Sequence, residues 1–581
     1  MNILGIHYGH NATVCLMQDG RVTFCQSEER LNRIKNSLGF PSLTLERVYA
    51  DWVSPDKVDL AVLFQTSTSG HRTLKRNGYR PVPGGFYLDE GYLRTGWKER
   101  FYQTDVGWEY KQLRNALKDK LRSKHAEMMA YFSQATRIPE SKLRCLDHHL
   151  AHAYSAVPNV REWGKALIFT LDAEGDGHCA TVNLLQGDRM EVLSQSDNRH
   201  SLGYYYTYTT ALMGMKGSEH EFKVMGMAPY AKRPYYEKIL KRLEGMIHIT
   251  EAGNWRSRSW FASLIRDLEK VYRFQRFDNI SGAIQELTES LTQQWVRHWI
   301  QKTGCHDIAL AGGVFMNVKA CQKIAAMPEV NRIFVVPSAA DETTALGCVV
   351  WGHLQAAPAI ALQPLKDLYL GEEYPDSAIE KALEEMKAAS RYEITRPANI
   401  NRAVAELLAR NQIVARCSGR MEFGARALGN RSILANASDF RNIQCINDAI
   451  KSRDFWMPFT PSILEEDLPR YIQRPEKLFA PYMCITFDST EEARRHLTAA
   501  VHPKDLTVRP QCVRQSWNPD YHEILTHYKA LTGMGGFLNT SFNLHGEPNV
   551  ATPQDAIRTV DHSGLEHLAM GSYLLKKLPV R

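Results

Sequence analysis

Four side chains of this sequence have the types and settings of a metal site. His148 and His152 stand four residues apart in "DHHLAHAYSA", so a helix would put both imidazoles on one face. Asp172 closes the apolar run "KALIFTLD" ahead of the Gly-rich turn "AEGDG", and Asp341 ends "RIFVVPSAAD" ahead of a small-residue helix. In α/β folds, ligands gather at such strand ends. Two imidazoles and two carboxylates suit iron or another borderline divalent cation better than magnesium. The chain carries 21 histidines, and chance supplies about one pair at this spacing in such a chain. The same residues would equally make a surface histidine cluster and two capping aspartates. Spacing alone leaves both readings open.

A second set is cationic. Arg426 and Arg431 flank "ALGNRS", Lys451 and Arg453 stand in "DAIKSRDFWMPF", and Arg509 lies in "TVRPQ". Asn539 and Ser541 in "FLNTSFN" add an amide and a hydroxyl. Guanidinium groups pair phosphate oxygens bidentately, and lysine adds a point charge. These cations are interleaved with Gly, Pro, Phe and Trp rather than with the Glu/Lys pattern of an exposed helix. A solvated basic face is the alternative. Walker A, GxSxG, HExxH and CxxC motifs are all missing, which argues against P-loop NTPases, α/β-hydrolases and zinc peptidases.

The elements that must position these groups announce themselves through a repeat. "HNATVCLMQDGR" at 10–21 recurs as "HCATVNLLQGDR" at 178–189, with seven of twelve positions identical. Each copy follows an apolar strand and a Gly-bearing turn, and each leads through a Gly/Asp turn into a further strand. Turns of this kind bring bare backbone N–H groups to a phosphate. Two chance hairpins would look the same. A duplicated fold with a nucleotide between its lobes, the plan of the actin, Hsp70 and sugar-kinase ATPases, also explains a repeat without a third copy. A helical pattern then runs from Asp278 or Ser281 to Gly304 and leads into "DIALAGGVFMN", whose diglycine admits a nucleotide.

At 581 residues the chain is long enough for two domains. "LQAAPAIALQP" reads as the linker, which divides the chain into 1–358 and 359–581. The net charge of +7 suits anionic small molecules, and no Lys/Arg-rich run supports a nucleic-acid partner. No apolar stretch is clean enough to cross a membrane. Eleven scattered cysteines and no signal peptide read as free thiols in the cytoplasm.

Taken in order, "LGIHYGHNA", "SEERLNRIK", "DHHLAHAYSA", "LDAEGDG", "SLGYYY", "FKVMGMAPY", "AGGVFMN", "SAADETTALG", "GRMEFGARALGNRS", "FWMPFTPSIL" and "LNTSFNLHGEP" resemble the NodU/CmcH family of O-carbamoyltransferases nearly end to end. The resemblance implies an α/β chain with a duplicated actin-like (ASKHA) N-terminal domain, similar to the universal tRNA threonylcarbamoyl-transferase, and a YrdC-like C-terminal domain. It implies iron held by His148, His152, Asp172 and Asp341, with Lys35, Gly203, Gly313 and Asn317 holding carbamoyl-adenylate at that metal. It implies that His10 acts at the acceptor hydroxyl. In the C-terminal domain, Arg426, Lys451, Arg509, Asn539 and Ser541 are expected to hold carbamoyl phosphate and magnesium-bound ATP. One position departs: Met457 stands where a family member has arginine, and Arg453 is the nearest replacement.

The implied reaction forms carbamoyl-adenylate from carbamoyl phosphate and ATP and passes the carbamoyl group to a hydroxyl of a small molecule. Three other readings compete. Transfer to a protein cysteine would bring an acylphosphatase domain and zinc-finger cysteines, which are missing. A tRNA acceptor fits the N-terminal likeness but not the fused arginine-rich domain. A sensor of carbamoyl phosphate would not need His10 together with both site sets. The acceptor itself is not readable; the aromatic stretch 76–103 fits a ring-stacking surface, a lid or a dimer contact alike, and a homodimer is compatible with the sequence.

Overall fold

The two copies of the repeated stretch fold onto the second strands of two sheets that share one topology. In the computed structural model, which describes residues 1–66, 69–78, 80–88, 107, 110, 124–473 and 481–579, two compact units are present. In the first unit, β1 (Asn2–His7), β2 (Thr13–Gln18), β3 (Arg21–Ser27), β4 (Leu60–Phe64) and β5 (Leu143–Leu146) pair in the order β3-β2-β1-β4-β5. The meander β1-β2-β3 is antiparallel, and β1, β4 and β5 run parallel. A second sheet repeats this plan with β6 (Lys165–Gly175), β7 (His178–Gln186), β8 (Arg189–Asp197), β9 (Asp307–Ala311) and β10 (Arg332–Val335), in the order β8-β7-β6-β9-β10. The first copy of the repeat supplies β2, and the second supplies β7. Asp19 and Gly20 both take positive φ, as a two-residue hairpin turn between β2 and β3 requires.

The central parallel strands read as unbroken apolar runs because helices cover them; every residue of β4 is buried. The helices His148–Val160 and Thr343–Ala356 pack on each other, and they cross closely because Gly347 faces the Ala151 carbonyl, where a Cβ would overlap that oxygen. The helix Phe277–Thr303 ends at Gly304 in the left-handed region, as its sequence predicts. Its start differs: Arg276 takes the N-cap place, and Asp278 pairs with Arg276 in the first turn.

Ahead of that helix, Tyr272–Gln275 makes a turn closed by Gln275 N–H to the Tyr272 carbonyl at 2.9 Å. Arg273 at φ −54°, ψ 125° and Phe274 at φ +61° give it type II geometry. Glycine belongs at the second central position; a phenylalanine there bears about 1–3 kcal/mol of backbone strain. Its ring is 97% exposed.

The second unit holds an eight-stranded sheet: β11 (Tyr392–Thr395), β12 (Val414–Cys417), β13 (Arg431–Ala435), β14 (Thr460–Leu464), β15 (Gln511–Val513), β16 (Gly536–Ser541), β17 (His567–Met570) and β18 (Tyr573–Lys577), ordered β11-β18-β17-β12-β13-β16-β14-β15. Alternate residues enter different cores: Ile433 and Leu538 join one, Leu434 and Phe537 the other, so both faces are buried.

The division between the units falls at Pro364/Leu365, slightly beyond the 358/359 read from composition, and it is not a single cut. Glu29–Lys35, the continuation of β3, belongs to the second unit. Arg30 donates to the Gly424 carbonyl at 2.7 Å, and Arg33 donates to the Asn549 and Pro548 carbonyls at 2.7 and 2.8 Å.

Candidate functional site

In the first unit, His148, His152, Asp172 and Asp341 offer one ligand atom each within 4.8 Å of one another. That spread is close to the ~4 Å span of ligands across one divalent ion. Asp147 caps the helix that starts at His148, accepting from Leu150 N–H at 3.0 Å, and the i, i+4 spacing then stacks the two imidazoles on one face. Asp172 comes from a bulge: the β6–β7 register slips between Leu171 and Gly175, which turns its carboxylate out of the ladder. His152 Nε2 lies 3.3 Å from Asp172 Oδ2 and 3.7 Å from Asp341 Oδ1, and His148 Nε2 lies 3.7 Å from Asp341 Oδ1. Both Nε2 atoms are buried without a hydrogen-bond partner. Two orphaned imidazole nitrogens facing two carboxylates fit a borderline divalent ion.

Burial works against charge on His152, but the nearby carboxylates of Asp172 and Asp341 outweigh it and hold the imidazole up to about 9. The metal-free protein therefore keeps a proton where a metal would bind. That proton stabilises the metal-free fold fully below the ordinary histidine value of 6.5, and its contribution is lost as pH rises through about 9. Binding a divalent ion requires loss of the proton, so apparent affinity is expected to rise about tenfold per pH unit from neutrality to the shifted value, then level. Competition titration against a coloured chelator checks this; a flat profile would remove His152 from the ligand set.

Gly203 and Gly313 both abut Asp172. A Cβ on Gly203 would lie 2.8 Å from the Asp172 carbonyl, and Gly313 N–H donates to Asp172 Oδ2 at 2.9 Å. Asn317 caps the next helix and pairs its side-chain amide with that of Gln285 at 2.9 and 3.0 Å. His10 sits in the β1–β2 turn, its ring against Gly84 and its buried Nε2 without a hydrogen-bond partner.

A residue that sequence reasoning missed holds that turn. His7 Nε2 donates to the His10 carbonyl at 2.7 Å, while its Nδ1 lies 2.7 Å from Thr344 Oγ1, three residues past Asp341. Burial, opposed by Asp341, drives His7 down to about 3, so it is neutral. In the second copy the His178 carbonyl is met instead from outside the repeat, by His149 Nε2 of the helix His148–Val160 at 3.1 Å. The only sequence signal for His7 is a histidine closing an apolar strand. Of the aromatic stretch 76–103, residues 79 and 89–103 lie outside the described residues; Phe86 meets Tyr208 edge-on at 6.3 Å.

Lys35 groups with the second unit, where Arg30 and Arg33 fix its segment Glu29–Lys35 on carbonyls. There its charge acts on Lys451. Burial, then Arg453, then Lys35 push the Lys451 ammonium well below its ordinary value. Burial and Arg426 press Arg453 down to about 10, and burial with Arg426 and Arg453 lowers Arg509 as well.

Lys451 Nζ donates to Asn543 Oδ1 at 2.7 Å and Ser541 Oγ at 3.1 Å, and Arg453 donates to Thr540 Oγ1 at 3.1 Å. The loop carrying Arg426 is clamped by Glu422, whose Oε1 accepts from the N–H groups of Leu428, Asn430 and Arg431 at 2.7–3.0 Å. Lys35, Arg426, Lys451, Arg453, Arg509 and Ser541 thus form one neighbourhood. Arg431 does not join it: its buried guanidinium donates to the carbonyls of Ala551 and Gly419, both at 3.0 Å. Asn539 is fully buried, its amide nitrogen 3.0–3.1 Å from Ser462 Oγ, Gln511 Oε1 and the Ala427 carbonyl.

Residues 2–350 match the family model described as carbamoyltransferase N-terminus, and residues 405–577 match carbamoyltransferase C-terminus. Nodulation protein NolNO of Sinorhizobium fredii is 30% identical over 98% of this chain and 79% of its own length. Nodulation protein NolO of Bradyrhizobium diazoefficiens is 32% identical over 75% of this chain and 79% of its own. The 3′-hydroxymethylcephem-O-carbamoyltransferase of Amycolatopsis lactamdurans is 29% identical over 45% of this chain and 47% of its own. With both family models matched in order, one over each of the units that carry the two residue sets, the chain belongs to the carbamoyltransferase family and is a transferase enzyme.

Proposed function

We propose that this enzyme takes its carbamoyl group from carbamoyl phosphate, activates it with ATP as carbamoyl-adenylate, and delivers it to a hydroxyl of a small molecule. The observation that carries the reading is the crowd of cations in the second unit, whose charges depress one another. Such a cluster of cations suits the phosphates of carbamoyl phosphate and ATP. Two further features support the layout. The matching strand orders of the first unit's sheets fit a duplicated actin-like core, and we read the second unit as YrdC-like. None of the eleven cysteines, all among the described residues, is in a disulfide, which suits the cytoplasm.

In the second unit, water cleaves carbamoyl phosphate to carbamate and phosphate. A carbamate oxygen then displaces pyrophosphate from the α-phosphorus of ATP. Lys451, Arg426, Arg453 and Arg509 hold the phosphoryl oxygens as charge moves onto the leaving pyrophosphate; Arg453 fills the role left by Met457. In the first unit, His148, His152, Asp172 and Asp341 would hold iron or a similar ion, which when bound supplies Lewis-acid polarisation of the carbamoyl carbonyl. Gly203 and Gly313 leave backbone, not side chains, beside Asp172 for the adenylate. His10 takes the proton of the attacking hydroxyl, the bond from carbamoyl carbon to phosphate oxygen breaks, and the products are an O-carbamoyl ester and AMP. The cephem-carbamoylating relative, named for a small hydroxylated molecule, favours such an acceptor over a protein or tRNA.

The test is pyrophosphate release from ATP without acceptor. It is expected to require carbamoyl phosphate, and Arg426→Ala is expected to reduce it about tenfold or more, the effect of losing a charge-assisted contact of about 1.5–3 kcal/mol. The thermal midpoint should be unchanged. Release that ignores carbamoyl phosphate, or an Arg426→Ala protein with full release, would overturn the reading.

A further inference from the structure

We propose that the chain forms a two-fold homodimer in which Phe274 of each copy enters a cavity beside the same turn on the other. The cavity, of about 370 Å³, is lined by Leu212, Met213, Tyr272 and Ile280 and by the polar Glu269, Arg273 and Gln275, the last two forming its rim with the turn. Phe274 stands next to that rim, 97% exposed, at the turn position that favours glycine. Nothing within the described fold rewards either its exposure or its backbone. An aromatic knob beside a cavity lined by apolar, charged and amide side chains puts knob and hole on one patch, as a closed isologous contact requires.

Charge points to the same occupant. Glu269 and Arg273 both face the cavity and make no ion pair among the described residues, so a two-fold axis through the turn sets each against its opposite on the other copy. Phe277, 56% exposed beside the cavity, extends the apolar patch.

Sedimentation velocity of the full chain over a wide concentration series, together with thermal unfolding, tests this. The wild type is expected to dimerise. Phe274→Gly is expected to weaken the dimer about thirtyfold or more, as loss of a central aromatic anchor does. The same variant suits the turn better, so its monomer should unfold at the same temperature or higher, which separates association from folding. Glu269→Arg or Arg273→Glu alone should weaken the dimer, and the two together should restore it. A wild type that stays monomeric, a Phe274→Gly protein as dimeric as wild type, or one whose monomer melts lower would each overturn the proposal; the last would mean that the ring packs within its own chain.

Discussion

A His148→Ala protein is expected to bind no divalent ion and to lose carbamoyl transfer, yet to release pyrophosphate from ATP and carbamoyl phosphate at the wild-type rate. The two halves of this outcome follow from where the residues lie. His148 Nε2 is one of two orphaned nitrogens in the cluster, and its ring fills the space over Gly175, where a Cβ would overlap it. Alanine removes one of the four candidate ligands, and no other metal-ligating side chain joins the cluster among the described residues. Loss of partners that merely orient ligands costs 10- to 100-fold in metal affinity, so loss of a ligand should cost more than about 100-fold. The cations proposed to form the adenylate belong to the other unit and do not depend on this imidazole. Metal content by mass spectrometry and the two half-reactions measured on one preparation decide the matter. Full metal and full transfer in the variant would end the assignment; loss of pyrophosphate release as well would show that the metal serves adenylate formation or the fold.

His10→Asn addresses the proton. The variant keeps a polar side chain against Gly84 and leaves the turn held, because His7 grips the backbone carbonyl of residue 10 and not its ring. What disappears is an imidazole nitrogen, buried and without a hydrogen-bond partner, the atom proposed to take the proton of the hydroxyl. Loss of a general base costs about 10²–10⁴-fold. First-turnover pyrophosphate release should be preserved, and carbamoylated product over many turnovers should fall by that factor. Equal loss in both would assign His10 to folding or nucleotide binding. No loss in either would assign the proton to another base.

What the sequence disclosed and what it hid divide along physical lines. The repeat was legible as two like hairpins because hairpin turns and alternating strands are local, and β2 and β7 occupy matching places in two sheets of the same strand order. His148, His152, Asp172 and Asp341, which the fold brings into one cluster, could be singled out because their helix spacing and strand-end settings are local as well. Lys35 could not be placed: the carbonyls that anchor its segment belong to Gly424, Pro548 and Asn549, hundreds of residues away. Arg426 and Arg431 read alike in one motif. They part only when β13 forms, since Arg431 is then a strand residue turned into carbonyls while Arg426 stays on the loop clamped by Glu422. Asn539 shows the same limit; β16 buries it, and only pairing with its neighbours reveals that.

The strap Glu29–Lys35 also sets a schedule. A ribosome makes it before any other part of the second unit and reaches Leu365 about 330 residues later. At roughly 5–20 residues per second, the strap waits tens of seconds for the carbonyls that will receive Arg30 and Arg33. The second unit therefore cannot mature as a bead added after the first. A gene split at Pro364/Leu365 would yield a C-terminal polypeptide lacking both arginines and Lys35, and only a partner bringing that short piece back could complete it.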